Sequence, residues 1–380
     1  MREYIDGCPG GPKGSEKMQI ALTKKIADAM GINCASTHEG ENPLFCWTAN
    51  WTRVWDNRRA EDMIVLVNNA TRFTVAIYQV KRKDLKNVAE MMRTAIANTL
   101  LFMNLNPALV KEYMRLAGEV KFVRNRCRQA AAWVTKAGLE CAFNVGREYN
   151  GIAKMFSDTV GAPANYRHVN YSGSNKEYIP YEAMVSALSE FTGIQAYKYR
   201  ALELLVTLDL EVYKAVRRII VPANLEFARL HKILQLVFDW RDYHLYDFTI
   251  FDGNKHIARI VPYEDDLEYD EDAILMKGHT LSEFFPKYKH MLYTYDMGDN
   301  WEHQIQLIRV IEDHDKESPY LLEASGQTPP EDVGGIVGFI NFREIMMNPN
   351  HPEFEEMKEW AKYWTIELSD WKRQPRLIRM

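Results

Sequence analysis

No apolar run in this 380-residue chain reaches the roughly 18 residues that a bilayer-spanning helix needs, which argues against a membrane protein. Cysteine is sparse: Cys8, Cys34, Cys46, Cys127 and Cys141 are odd in number and form no Cys-x-x-Cys pair. That argues against a zinc–cysteine site and for a reducing cytoplasm. The motifs of several enzyme classes are missing too. Gly334-Gly335-x-x-Gly338 lacks the Lys-Ser/Thr of a phosphate loop, and neither a dinucleotide fingerprint nor a nucleophile elbow is present. The first residues, Met1 to Pro12, show no apolar signal region and are expected to be loose.

What is present suits globular folding. Hydrophobic residues make up 47% and aromatics 12%, enough for packed cores, and the length implies two or three domains. Charge is unevenly placed. Residues 1–200 hold 27 basic and 19 acidic side chains, whereas 201–380 hold 20 and 33. A domain boundary near 200 accounts for that shift. The pattern predicts an α+β fold of two modules, each a small, mainly antiparallel sheet packed with helices. The boundaries expected are a loose segment over 1–17, an α+β domain over 18–160 and a linker with a short helix over 161–197. A second α+β domain follows over 198–370, with a basic tail over 371–380.

In the first half, Leu22, Ile26 and Met30 recur every four residues, the spacing of a helix over 18–31 ending at Gly31. Residues 63–67 and 72–78 read as strands, 86–103 and 107–116 as helices. Trp47, Trp51 and Trp55 read as core or packed rim. Arg124, Arg126 and Arg128 stand close together near a short strand. They are the candidates for holding phosphate or nucleic acid, with an ordinary solvated face as the other reading.

In the second half the densest polar segment is Tyr293-Thr-Tyr-Asp-Met-Gly-Asp-Asn-Trp-Glu-His-Gln-Ile-Gln-Leu307. It reads as a hairpin around Gly298-Asp299-Asn300. A three-residue loop sets Tyr295 opposite His303 and Asp296 opposite Glu302; a four-residue loop sets Asp296 opposite His303. Both registers stay open. Pro329-Pro-Glu-Asp-Val-Gly-Gly335 follows and is the segment able to complete a site with the hairpin. The candidate ligand-facing residues are Asp296, Asp299, Trp301, His303, Glu331 and Asp332. Turn and cap chemistry explains the same residues without a ligand.

Residues 200–370 resemble the Ri-plasmid Orf-three-like family, also labelled as transposon-passenger proteins of a TnpR-like kind. The resemblance rests on Arg217-Arg-Ile-Ile-Val-Pro222, Phe238-Asp-Trp-Arg-Asp-Tyr-His-Leu-Tyr-Asp-Phe248, Tyr295-Asp-Met-Gly-Asp-Asn-Trp-Glu-His303, Pro329 to Gly335 and Asn348-Pro-Asn-His-Pro352. Met297 and Ile308-Arg309 depart from the family's usual Phe and Leu-Glu. The resemblance implies an α+β fold and a bacterial, mobile-element origin, and it adds His244 and Trp240 to the candidate site. It implies no activity, and no Ser or Tyr lies in the arginine constellation of a recombinase. The first half, from Asn42 to about Tyr149, resembles an uncharacterised bacterial domain family through Asn42 to Trp51, Met63 to Val75 and Asn125-Arg126.

These readings lead to a non-catalytic binding or interaction protein of mobile elements, with a protein partner or small ligand and no membrane. Catalytic residues, cofactors and metal ligands are left unassigned. One alternative is a metal-dependent hydrolase or nuclease using Asp296, Asp299, His303, Glu331 and Asp332. The other is nucleic-acid binding by the basic half.

Overall fold

The computed structural model describes residues 18–34, 42–56, 59–148, 158–170, 176–268, 270, 272–364, 367 and 370–379. The expectations for 1–17, for Cys8 and for the Trp55 side chain lie outside what is described. The fold is α+β, and the chain forms two compact units, Met1–Lys198 and Tyr199–Met380.

In the first unit, Gln19–Leu22, Cys46–Asp56, Arg59–Asn68, Thr74–Tyr78 and Lys121–Arg124 form a five-stranded sheet. Gln19–Leu22 runs parallel to both of its neighbours, Cys46–Asp56 and Lys121–Arg124. This corrects the expected helix over 18–31, which begins only at Lys24. Paired on both sides and buried on both faces, as all four residues here are, the strand lacks the alternation that marks a sheet with one solvated face. Leu22 and Ile26 still enter one core cluster, which is why their spacing imitates a helix. Trp47 is fully buried and donates from Nε1 to Tyr113 Oη at 3.1 Å, so it belongs to the core. The segment 161–197, expected as a linker with a short helix, carries helix Pro180–Thr192, whose Tyr181, Met184 and Leu188 pack into the core.

The second unit holds a ten-stranded sheet among the described residues. Its centre pairs His290–Tyr295, Trp301–His314, Tyr199–Asp209 and Lys214–Pro222 in antiparallel order. Helix Phe227–Phe238 packs on it, with the Phe227 ring 5.2 Å from Phe248 and the His231 ring stacked 3.4 Å from Tyr246. The basic tail joins the sheet. Lys372–Arg373 and Arg376–Leu377 both pair with Tyr320–Ser325, and Trp371 is 8% exposed. Arg217 explains that docking. It is completely buried, stacks on Trp371 at 4.4 Å and on Phe238 at 4.6 Å, and donates to Val237 O, Val216 O, Ser325 O, Gly326 O and Thr328 Oγ1.

Candidate functional site

The hairpin register differs from both expectations. Tyr295 pairs with Trp301, Thr294 with Glu302 and Tyr293 with His303, leaving a five-residue loop over 296–300. Asp296 and Asn300 both take left-handed backbone, at φ 58° and 54°. The Asp296 carboxylate makes that loop possible. Its Oδ1 accepts from Gly298 N at 2.9 Å and Asp299 N at 3.3 Å. Asp296 and Glu302 are therefore not opposite one another.

Alternation along strand Trp301–His314 turns His303 inward. It is fully buried, its Nε2 accepts from Trp240 Nε1 at 3.2 Å, and its Nδ1 faces Trp301 O at 2.9 Å and Tyr293 O at 3.2 Å. Those partners fix a neutral ring with Nδ1–H donating. Burial pushes its pKa down to about 3. Trp301 is buried as well and stacks on Trp240, centroids 5.7 Å apart. Trp240, Trp301 and His303 are thus a packed floor beneath the site, and His303 has no nitrogen left for a ligand.

His244 takes the place expected for His303. It rides on the loop that follows helix Phe227–Phe238, and several bonds hold that loop. Asp242 N donates to Gln235 Oε1 at 2.7 Å, and Tyr243 N to Tyr295 Oη at 3.1 Å. Asp242 Oδ1 meets His231 Nε2 at 2.8 Å, and His231 Nδ1 meets Tyr293 Oη at 2.8 Å. So positioned, His244 Nε2 lies 3.1 Å from Asp332 Oδ1, 3.5 Å from Asp296 Oδ2 and 3.7 Å from Glu331 Oε2. The nitrogen is covered from solvent and makes no hydrogen bond among the described residues.

Glu331 is anchored from behind, its Oε1 accepting from Arg241 N at 2.7 Å and from Tyr295 Oη at 3.2 Å. Burial raises its pKa against the pull of those donors. Asp299 stands outside the cluster and latches the two segments together, accepting from Gly334 N at 3.2 Å. Gly335 (φ 65°) completes the latch, because an added Cβ would sit 2.8 Å from Asp299 O. Gly335→Ala should therefore prise the hairpin from the 329–335 loop and cost about 1–3 kcal/mol. An unfolding midpoint within experimental error of wild type in a denaturant titration would contradict this.

Beside the cluster opens a cavity of about 530 Å³. Tyr243, Trp360, Tyr363, Trp364 and Trp371 give it aromatic walls, and Arg241, Arg373, Asp239, Glu331 and Asp332 give it charge. Sequence reasoning alone does not single out Trp360, Tyr363, Trp364, Arg241 or Arg373. The Trp360-x-x-Tyr363-Trp364 run, with Trp360 46% and Tyr363 82% exposed, is the signal that points to them. In the first unit, Arg124, Arg126 and Arg128 are exposed where strand Lys121–Arg124 passes into helix Arg128–Glu148, with no carboxylate partner among the described residues.

Comparison with known proteins places both units. Residues 200–373 match the family described as plasmid pRiA4b ORF-3-like protein, and residues 19–181 match a domain of unknown function, DUF6933. An uncharacterized protein, y4hQ, of Sinorhizobium fredii (strain NBRC 101917 / NGR234) is 35% identical over 158 residues, covering 41% of this chain and 78% of that protein. The chain belongs, through its second unit, to the plasmid pRiA4b ORF-3-like family. A solved structure, a protein of unknown function, MM3350, from Methanosarcina mazei Go1, is 26% identical and covers 48% of this chain and 97% of its own, at a TM-score of 0.40.

Proposed function

We propose that this is a non-catalytic binding protein whose second unit takes a small, planar, anionic ligand of nucleotide size in the aromatic-walled cavity. The observation that carries this reading is the cavity's composition. Aromatic faces stack on planar rings, each stack contributing about 1–3 kcal/mol, and Arg241 and Arg373 stand in the same wall. Arg373 is engaged with Asp239, while the Arg241 guanidinium has no carboxylate partner among the described residues. A planar fork of this kind grips phosphate or carboxylate oxygens in pairs. No helix among the described residues is long and apolar enough to cross a membrane. The plasmid label of the family supports a cytoplasmic role among the products of bacterial mobile elements.

Titration of intrinsic tryptophan fluorescence with AMP and UMP, against adenosine as the uncharged control, tests the reading. Saturable quenching by the nucleotides is expected, with affinity falling on the order of tenfold in Trp360→Ala and in Arg241→Ala. No saturable change at millimolar nucleotide, or equal affinity for adenosine, would sink it.

A further inference from the structure

Beside that cavity four polar side chains converge: His244, Asp296, Glu331 and Asp332. The polar atoms around His244 Nε2 are arranged by a common device. Asp296 commits Oδ1 to its own turn amides and presents Oδ2 to the histidine. Glu331 commits Oε1 to Arg241 N and Tyr295 Oη and presents Oε2. Asp332, on left-handed backbone at φ 59°, presents Oδ1. Each of the first two carboxylates thus has one oxygen fixed by the fold and one aimed at a shared point. His244 Nε2 faces that point, shielded from water and without a hydrogen bond.

The spacings are compatible with coordination of one ion. Ligand atoms about 2.1 Å from a tetrahedral ion stand about 3.4 Å from one another. The distances from Nε2 to the three oxygens are 3.1, 3.5 and 3.7 Å. The donor atoms of His244, Asp296 and Asp332 all lie within 4.8 Å of one another, a spread that modest side-chain movement closes. Three carboxylates around one imidazole also leave an excess of negative charge that a divalent ion would offset. Carboxylate bonds to Tyr295 and Arg241 are the kind of outer support that orients metal ligands.

We infer that His244, Asp296 and Asp332, with Glu331 beside them, bind one divalent transition-metal ion of the Zn²⁺ or Mn²⁺ class. One imidazole and several carboxylates suit these ions better than the all-oxygen sites of Ca²⁺ or the water-rich sites of Mg²⁺. The ion sits at the cavity's rim, since Glu331 and Asp332 line both. It is independent of what the cavity holds.

Isothermal titration of the full chain with Zn²⁺ and separately with Mn²⁺, with no other ligand present, tests the site. One ion per chain is expected for at least one of the two metals. His244→Gln and Asp332→Asn should each weaken it by roughly 10–100-fold. Glu302→Gln, exposed and outside the cluster, should leave it unchanged. Circular dichroism of each variant separates loss of the site from loss of the fold, and Asp332, 67% exposed, is the safer of the two to replace. Overturning results are no binding of either ion at millimolar concentration, or binding that persists undiminished in both variants, which would leave His244 ion-paired only. Nucleotide binding that survives chelation while ion binding is absent would sink this inference and spare the cavity; ion binding without nucleotide binding would do the reverse.

Discussion

Arg217→Met should destabilise the second unit by about 3–5 kcal/mol, the upper end of single-substitution effects. The guanidinium is completely buried, and the described residues offer it no ion pair. It is neutralised instead by main-chain carbonyls and a hydroxyl, at distances from 2.5 Å to Val237 O up to 3.2 Å to Thr328 Oγ1. Val237 O belongs to the last turn of helix Phe227–Phe238, where orphan carbonyls and the helix dipole favour a cation. Burial lowers the Arg217 pKa to about 9, so the group remains charged at neutral pH. Removing it strands several buried acceptors at once, each costing about 1–3 kcal/mol unless water reaches it. It also removes one of the two guanidinium groups over the Trp371 ring, the other being that of Arg373 at 5.0 Å. Arg217→Lys should fare little better, because one ammonium cannot replace a planar fork with several donors. Guanidinium titration of the full chain, followed by tryptophan emission, reads the effect in the transition of the second unit. A midpoint unchanged from wild type would refute the account.

The second large effect is on acid stability, through His303. Its folded-state pKa is near 3, whereas a histidine in the unfolded chain titrates near 6.5. Above pH 6.5 neither state binds the proton and His303 contributes no slope. As pH falls from about 6.5 towards 3 the unfolded chain takes up the proton and the folded one does not. Stability should therefore drop by up to about 1.4 kcal/mol per pH unit, or roughly 2 kcal/mol by pH 5. His231, also lowered by burial despite Asp242, adds to the trend. Comparison of wild type with His303→Asn isolates the first share. The variant should lose stability at pH 8, where Trp240 Nε1 is left without its acceptor, yet show a shallower decline between pH 7 and 5. Parallel pH curves for the two proteins would rule out His303 as the origin.

His303 also marks the line between what is legible in the sequence and what is not. Along strand Trp301–His314 burial alternates from Trp301 to Leu307, with Glu302, Gln304 and Gln306 exposed. That period of two places His303 on the core face whichever loop precedes it. The loop length is not legible, because it depends on Asp296 and Asn300 adopting left-handed backbone that their own side chains stabilise. The hairpin and the Pro329–Gly335 loop both stand out, since dense polar and glycine residues between apolar strands mark themselves. Their histidine partner does not, because His244 is separated from Asp296 by most of two strand pairs and enters only through family resemblance. The central strand Gln19–Leu22 is hidden by two-sided burial, and the tail's role by its charge. Lys372 and Arg373 look solvated in sequence, while Trp371 beside them is the buried anchor.

The site draws on three segments, 239–245, 296–300 and 329–335, joined by bonds such as Arg241 N to Glu331 and Gly334 N to Asp299. The unfolded chain has no counterpart of it. Occupancy and folding are consequently a single linked equilibrium, and an occupant at a hundred times its dissociation constant would raise folding stability by about 2.7 kcal/mol. Melting temperature thereby becomes an assay for the ligand, one that works whatever the ligand's chemistry.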